Sequence, residues 1–213
     1  MVHGAWHGAW SWDGVVAELD AMGVEHDAVE LPLTGFADDV AAARAAIVAA
    51  GSGSVVVAHS YGGAVISQAA AGLADVGRLV YVAAFMTDAG EDTTSMMAGS
   101  SLFECLEVVP GGTAVDPAKA HALFYADSDA AVVAEIIPRL RPMAIDAAPG
   151  SDAEPAWKTV PSTYLVCAED AALPPAAQRV MAARADDVVE WPTDHSPFLT
   201  RPRELAELVA SYL

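Results

Sequence analysis

Val55-Val56-Val57-Ala58-His59-Ser60-Tyr61-Gly62-Gly63 is the stretch whose reading decides the fold. A run of uncharged, β-branched residues has the character of a buried strand, and the glycines that follow Ser60 let the backbone bend sharply and open a helix. The pattern is A-x-S-x-G, one methyl away from the G-x-S-x-G turn that projects a serine hydroxyl from a sheet edge. The Ala58 methyl is expected to crowd this turn without abolishing it. A helix starting after Ser60 also aims its free N–H groups and positive dipole end at negative charge developing beside the hydroxyl.

Outward from this stretch, short apolar runs alternate with Ala-rich helical patterns, which predicts an α/β fold with a mostly parallel sheet and helices on both faces. Six strands are expected: 1–3, 24–31, 54–58, 78–84, 162–167 and 187–191. Only Met1 and Val2 precede His3, fewer than the five or six residues of a typical strand, so the first strand either starts upstream or is unusually short. Ser11 is expected to cap a helix that Gly23 closes. Further helices are expected at about 38–50, after Ser60, from Pro174-Pro175, and over the Leu205, Leu208, Val209 and Tyr212 pattern. The rhythm breaks from about Thr87 to Trp157, where two amphipathic patches, 117–125 and 130–140, sit among Gly and Pro punctuation. The expected organisation is therefore a core domain of 1–86 and 158–213 with a small helical cap insertion at 87–157. An insertion after the fourth strand is placed to roof the carboxyl edge of the sheet, where ligands bind in such folds.

A serine in such a turn needs a base to take its proton and a carboxylate to orient that base, in the chain order Ser, Asp or Glu, His. Of the six histidines (His3, His7, His26, His59, His121 and His195), only His121 and His195 follow Ser60. His121 falls on a helix of the insertion, where a packing or solvent-facing role suffices. His195 lies in Trp191-Pro192-Thr193-Asp194-His195-Ser196-Pro197-Phe198, the loop after the last strand, where the base belongs. The strand 162–167 runs into Ala168-Glu169-Asp170, which places Asp170 as the acid, with Glu169 and Asp88 as the other carboxylates to weigh. The oxyanion hole requires two backbone N–H groups, assigned to Tyr61 and Ala5. Gly4 permits the turn before Ala5. Gly4, Trp6 and Phe198 are the expected substrate contacts, and an apolar pocket is expected from Leu102, Phe103, Leu123, Phe124, Tyr125, Ile136 and Ile137. Core packing is the ordinary alternative for the tryptophans of this loop.

Composition narrows the classes. The chain has 213 residues, 54% of them hydrophobic, which suits one folded domain and excludes a disordered chain. Ten basic against 29 acidic residues give a formal charge of −19, which repels phosphate backbones and anionic lipid. No nucleic-acid and no membrane partner is expected. The longest uncharged stretch, 45–74, holds Gly51-Ser52-Gly53-Ser54 and His59-Ser60-Tyr61 at its centre, polar groups that hydrocarbon would not satisfy. Cys105 and Cys167 make no metal-ligand spacing and no leader pattern opens the chain, so a cytoplasmic protein without metal or cofactor is expected.

Taken together, His3-Gly4-Ala5-Trp6-His7-Gly8-Ala9-Trp10, Ala58-His59-Ser60-Tyr61-Gly62-Gly63, Glu169-Asp170 before Leu173-Pro174-Pro175, and Asp194-His195-Ser196-Pro197-Phe198 resemble the α/β-hydrolase superfamily. Within it the chain is similar to bacterial relatives of the plant methylesterase and hydroxynitrile lyase group. The resemblance covers nearly the whole chain, with the 87–157 segment its least specific portion. It implies a serine carboxylesterase acting on a small to medium, fairly apolar ester through Ser60, Asp170 and His195, with no cofactor. The expected partner is that small-molecule ester, with a homodimer as the one possible assembly. Hydroxynitrile lyases of the group carry threonine where this chain has Gly4 and lysine where it has Ser196, which ranks lyase or other non-ester chemistry below hydrolysis. A receptor-like member that binds a ligand with little turnover is the alternative from another class.

Overall fold

A computed structural model describes residues 1–91, 93–144 and 153–213. Residue 92 and residues 145–152 of the expected insertion lie outside the described residues. The chain opens with a tight turn over Ala9–Trp12 and helix α1 (Asp13–Met22), continues with α2 (Phe36–Ala50), and reaches β1 (Ser54–His59), α3 (Gly62–Ala69) and β2 (Val76–Val82). Next come α4 (Thr93–Met96), β3 (Leu106–Val109), β4 (Gly112–Val115), α5 (Pro117–Phe124), α6 (Ala130–Ile136) and β5 (Met143–Ala144). The chain closes with β6 (Ser162–Cys167), α7 (Pro175–Ala182), β7 (Asp187–Trp191), α8 (Pro197–Thr200) and α9 (Pro202–Ala210).

Among the described residues the main sheet has the order β1-β2-β6-β7 with every pairing parallel. Alternation along the strands divides the core into two layers. Val57, Val80, Val82 and Leu165 pack with Trp12, Val15 and Leu19 of the N-terminal region and Leu205 and Val209 of α9. Their neighbours Val56, Ala58, Leu79, Tyr81, Tyr164 and Val166 face the other way, onto α2, α3 and α7. A one-residue slip of any strand would exchange these faces, so burial fixes the register.

Two of the six expected strands are reduced to single bridges: Val2 pairs in parallel with both Val29 and Ala58. In the segment 24–31, Glu25, His26 and Asp27 are exposed, and only Val29 reaches the bridge. Ser11 is also not the helix cap. Its hydroxyl donates back to the Gly8 carbonyl at 2.8 Å inside the first turn, and α1 starts two residues later. Gly23 closes α1 as expected, with φ +71 and its N–H on the Asp20 and Leu19 carbonyls. The two amphipathic patches of the insertion are α5 and α6, each capped by an aspartate, Asp116 and Asp129. Helices alone do not make this segment, because β3, β4 and β5 form an antiparallel sheet within it. Its short strands alternate weakly and leave Val108 exposed, which is why the pattern did not announce them.

No helix among the described residues is long and apolar enough to cross a membrane.

Candidate active site

Because the strands of the main sheet are parallel, their carboxyl ends share one edge, and the loops leaving β1, β6 and β7 carry Ser60, Asp170 and His195 to it. The turn after β1 is strained: Ser60 has φ +51, a region that side chains with a Cβ rarely occupy. The glycines explain how the strain is accommodated. A Cβ on Gly62 would stand 2.7 Å from the His3 carbonyl oxygen, and one on Gly63 would stand 2.7 Å from the Phe85 carbonyl oxygen. The Ala58 methyl, fully buried, is accepted without loss of the turn.

His195 and Asp170 meet beneath this turn. Asp170 Oδ2 accepts from His195 Nδ1 at 2.6 Å, with both side chains withdrawn from solvent. The carboxylate is saturated by donors. Its Oδ1 accepts the Ala172 and Leu173 N–H groups at 2.7 and 2.9 Å, and its Oδ2 also accepts from Gln178 Nε2 at 2.8 Å. Pairing continues past the strand ends through Ala168 N–H to the Trp191 carbonyl and Glu169 N–H to the Thr193 carbonyl, which brings the two loops together. Glu169 is exposed, and Asp88 forms an ion pair with Lys158 at 2.6 Å. Neither carboxylate meets His195.

Ser60 and His195 open into a cavity of about 250 Å³ that Ala5, Trp6 and Tyr61 also line. The rest of its wall is mostly apolar, including Phe85, Met97, Leu102, Phe103, Phe124 and Met143. Four expected pocket residues, Leu123, Tyr125, Ile136 and Ile137, stand outside this lining. Of the three expected substrate contacts Trp6 lines the cavity, with its indole N–H on Thr113 Oγ1 at 3.2 Å. Gly4 and Phe198 do not line the cavity. Gly4 serves close approach, since a Cβ there would stand 2.9 Å from His59 Nδ1 and 3.0 Å from Ser60 Cβ. Phe198 is buried under the histidine loop, its ring 4.9 Å from that of His59 and 5.8 Å from that of Trp12. A Phe in the first turn of the short helix α8 has no sequence mark that separates pocket from core. A larger hollow of about 850 Å³ lies at the opposite edge, against the start of β1, and holds none of these groups.

Several polar groups that hold the site went unread in the sequence. Gln178, fully buried on α7, accepts the Cys167 N–H and donates to Asp170 and to the Leu173 carbonyl. A glutamine on the inner face of a helix was the available signal. Asp39 accepts the Tyr61 hydroxyl at 2.7 Å and the Leu33 N–H at 2.8 Å, and burial raises its pKa. His59 Nε2 donates to the His195 carbonyl at 2.8 Å, while burial keeps its pKa well below the usual value. Asp194 and Asp127 exchange backbone N–H to carboxylate bonds of 2.9 and 2.8 Å, which tie the histidine loop to the segment after α5. His121, as expected, takes a packing role, half-buried with Nε2 on the Ser128 carbonyl at 3.2 Å. No cluster of His, Cys, Asp or Glu that could hold a metal ion occurs among the described residues.

The family model for the alpha/beta hydrolase family matches residues 1–208. The chain belongs to this family. As an alpha/beta hydrolase it is 29% identical to alpha/beta hydrolase nvfD of Aspergillus novofumigatus (strain IBT 16806), over 98% of this chain and 93% of that protein. It is equally 29% identical to Methylesterase 7 of Arabidopsis thaliana, with the same coverage of each. Among solved structures, a pyrethroid hydrolase from Sphingobium faniae superposes with a TM-score of 0.82 at 22% identity, covering 99% of this chain and 94% of that one. A methylesterase of Arabidopsis gives 0.82 at 22% identity, covering 100% and 98%. At these identities the superpositions establish the fold of an alpha/beta hydrolase.

Proposed function

We propose that this alpha/beta hydrolase is a serine carboxylesterase for small to medium, fairly apolar, uncharged esters. The observation that carries the reading is the 2.6 Å bond between Asp170 and His195, with His195 and Ser60 both lining one apolar cavity. In this reading the Ser60 hydroxyl attacks the ester carbonyl while His195 Nε2 takes its proton. Asp170 holds the proton of the imidazole on Nδ1 and stabilises the imidazolium that forms. The N–H groups of Ala5 and Tyr61, both residues at the cavity wall beside Ser60, receive the oxyanion. The alcohol leaves with the proton of His195, and water then reverses the steps to release the acid and free Ser60. Segment 87–157 acts as the cap over the carboxyl edge, and its walls set the apolar preference.

The relatives support an ester substrate by their printed activities, methylesterase and pyrethroid hydrolase. Against lyase chemistry stand Gly4, which has no hydroxyl to hold a cyanohydrin, and Ser196, which supplies no cation beside the histidine.

The test is active-site labelling with a fluorophosphonate, mapped by mass spectrometry, alongside turnover of p-nitrophenyl acetate and butyrate. Labelling confined to Ser60 is expected, and Ser60→Ala should lower turnover by several orders of magnitude. Unchanged turnover in Ser60→Ala would overturn the reading. A ligand-induced thermal shift with negligible turnover and no labelling would replace it with the receptor-like one.

A further inference from the structure

The loop from His3 to Trp10 contributes a donor to the site, yet its first residue, His3, is fully buried and has no place in the cavity wall. We propose that His3 is a positioning residue for the Ala5 N–H: its ring holds the Gly4–Ala5 peptide so that this donor faces the oxygen of a carbonyl attacked by Ser60. The inference rests on the esterase reading above.

The argument begins with the peptide unit. The Gly4 carbonyl and the Ala5 N–H are the two ends of one planar trans peptide, so fixing the carbonyl on one side aims the N–H at the other. His3 Nδ1 lies 2.8 Å from the Gly4 carbonyl oxygen. The other ring nitrogen, Nε2, accepts the Leu31 N–H at 3.0 Å, so the ring proton must sit on Nδ1 and be donated to Gly4. Burial lowers the pKa of His3 to about 4, which keeps this neutral tautomer in place throughout the neutral range. The ring is thus held from the Leu31 side and itself holds Gly4.

The need for a clamp follows from Gly4. The elbow presses so closely that a Cβ at this position would meet His59 and Ser60 within about 3 Å, as described above, so glycine is required. Glycine is also the residue least able to hold its own dihedral angles. No side chain at position 4 can brace the peptide, and Trp6, two residues on, already sits in the left-handed region with φ +59. Arg141 fixes the far side of the loop, its N–H on the Trp6 carbonyl at 2.7 Å, and the Gly4 carbonyl also accepts the His7 N–H, but at 3.4 Å, longer than the 2.8 Å bond from His3. Among the described residues no protein group accepts the Ala5 N–H, which leaves it for a ligand.

His3→Asn and His3→Gln separate the roles of the two ring nitrogens. An asparagine amide reaches about as far as Nδ1 and can still donate to Gly4, whereas a glutamine amide reaches the Leu31 side. For each variant, with active sites titrated by the fluorophosphonate, kcat and KM for p-nitrophenyl butyrate are measured. The affinity of a trifluoromethyl ketone, which adds to serine and forms an oxyanion, is compared with that of the methyl ketone of the same skeleton. For His3→Gln a fall in kcat of about 10- to 100-fold is expected, below the ~10²–10³ of an oxyanion donor removed outright. KM and methyl ketone affinity should hold within about 2-fold, while trifluoromethyl ketone affinity falls in step with kcat. His3→Asn should recover most of the loss.

A folded His3→Gln that keeps its trifluoromethyl ketone affinity, or equal losses in both variants, would overturn the proposal. Should His3→Gln not fold, a crystal structure of the wild-type adduct decides: an oxyanion about 2.7–3.1 Å from the Ala5 nitrogen with His3 Nδ1 still on the Gly4 carbonyl supports the positioning role, and an oxyanion elsewhere or a His3 ring turned off Gly4 refutes it. A wild-type protein that neither labels nor turns over ester defeats the esterase reading itself, whereas normal wild-type activity with unaffected variants defeats only the role of His3.

Discussion

Replacing Asp170 by asparagine is a near-isosteric change whose outcome the hydrogen bonds around the carboxylate dictate. Oδ1 accepts two backbone N–H groups, from Ala172 and Leu173, and Oδ2 accepts from both Gln178 Nε2 and His195 Nδ1. An asparagine must keep its oxygen toward the two backbone donors, because the flipped amide would set its own N–H groups against both. The amide nitrogen then occupies the place of Oδ2 and points donors at Gln178 and His195. To accept from it, His195 must move its proton to Nε2, the atom that takes the proton of Ser60 in the proposed esterase mechanism. The variant is folded but holds the wrong tautomer.

The expected loss in kcat is about 10⁴-fold, or roughly 5.4 kcal/mol at 1.36 kcal/mol per factor of ten. The clash with Gln178 adds a separate cost in stability of about 1–3 kcal/mol, the usual range for a buried polar group left unpaired. Steady-state hydrolysis of p-nitrophenyl butyrate, normalised to folded protein by circular dichroism, reads the first quantity, and denaturant unfolding reads the second. Asp170→Ala, which imposes no tautomer, should be no worse than Asp170→Asn despite its greater change in shape. An Asp170→Asn variant within 10-fold of wild type would refute the assignment of His195 orientation to Asp170.

Gly63→Ala places a methyl 2.7 Å from the Phe85 carbonyl oxygen and 2.8 Å from Ala84 Cβ, contacts with rigid neighbours. Overpacking of about 1–3 kcal/mol is expected, a fall in Tm of roughly 2–12 °C for a chain of this size, and an unshifted calorimetric Tm would contradict the close approach. Asp39 gives a pH signature. Burial raises its carboxyl above the ordinary 3.8, so between 3.8 and the raised value the folded state binds more protons than the unfolded one. Stability contributed at this site therefore falls as pH rises through that window. Asp39→Asn should flatten this dependence, so the Tm of wild type minus that of the variant should drop on raising pH from about 4 into the neutral range. A difference independent of pH would show that Asp39 does not titrate differently on folding.

What the sequence made legible was the part governed by local chemistry and period. The valines of β1, the two glycines after Ser60 and the Ala-rich helices mark one strand-turn-helix unit, because β-branching, glycine freedom and apolar spacing act within a few residues. The order Ser60, Asp170, His195 could be read because a parallel sheet puts every strand's carboxyl end on the same edge. The position after β6 favoured Asp170 as the carboxylate for His195 but left Glu169 and Asp88 open, since Glu169 is adjacent and of like charge. Only the tertiary packing buries Asp170 under four donors and leaves Glu169 in solvent. The same holds for Phe198, which went to the core, and for the antiparallel sheet β3-β4-β5, whose strands are too short to carry a clear alternation. Gln178, Asp39 and His3 each bridge groups on separate parts of the chain, Gln178 joining Cys167, Asp170 and Leu173, Asp39 joining Leu33 to Tyr61, and His3 joining Gly4 to Leu31. Their roles depend on backbone donors and carbonyls brought within 3 Å by the fold, and a pattern of side-chain types along the chain carries no record of where those backbone groups end up.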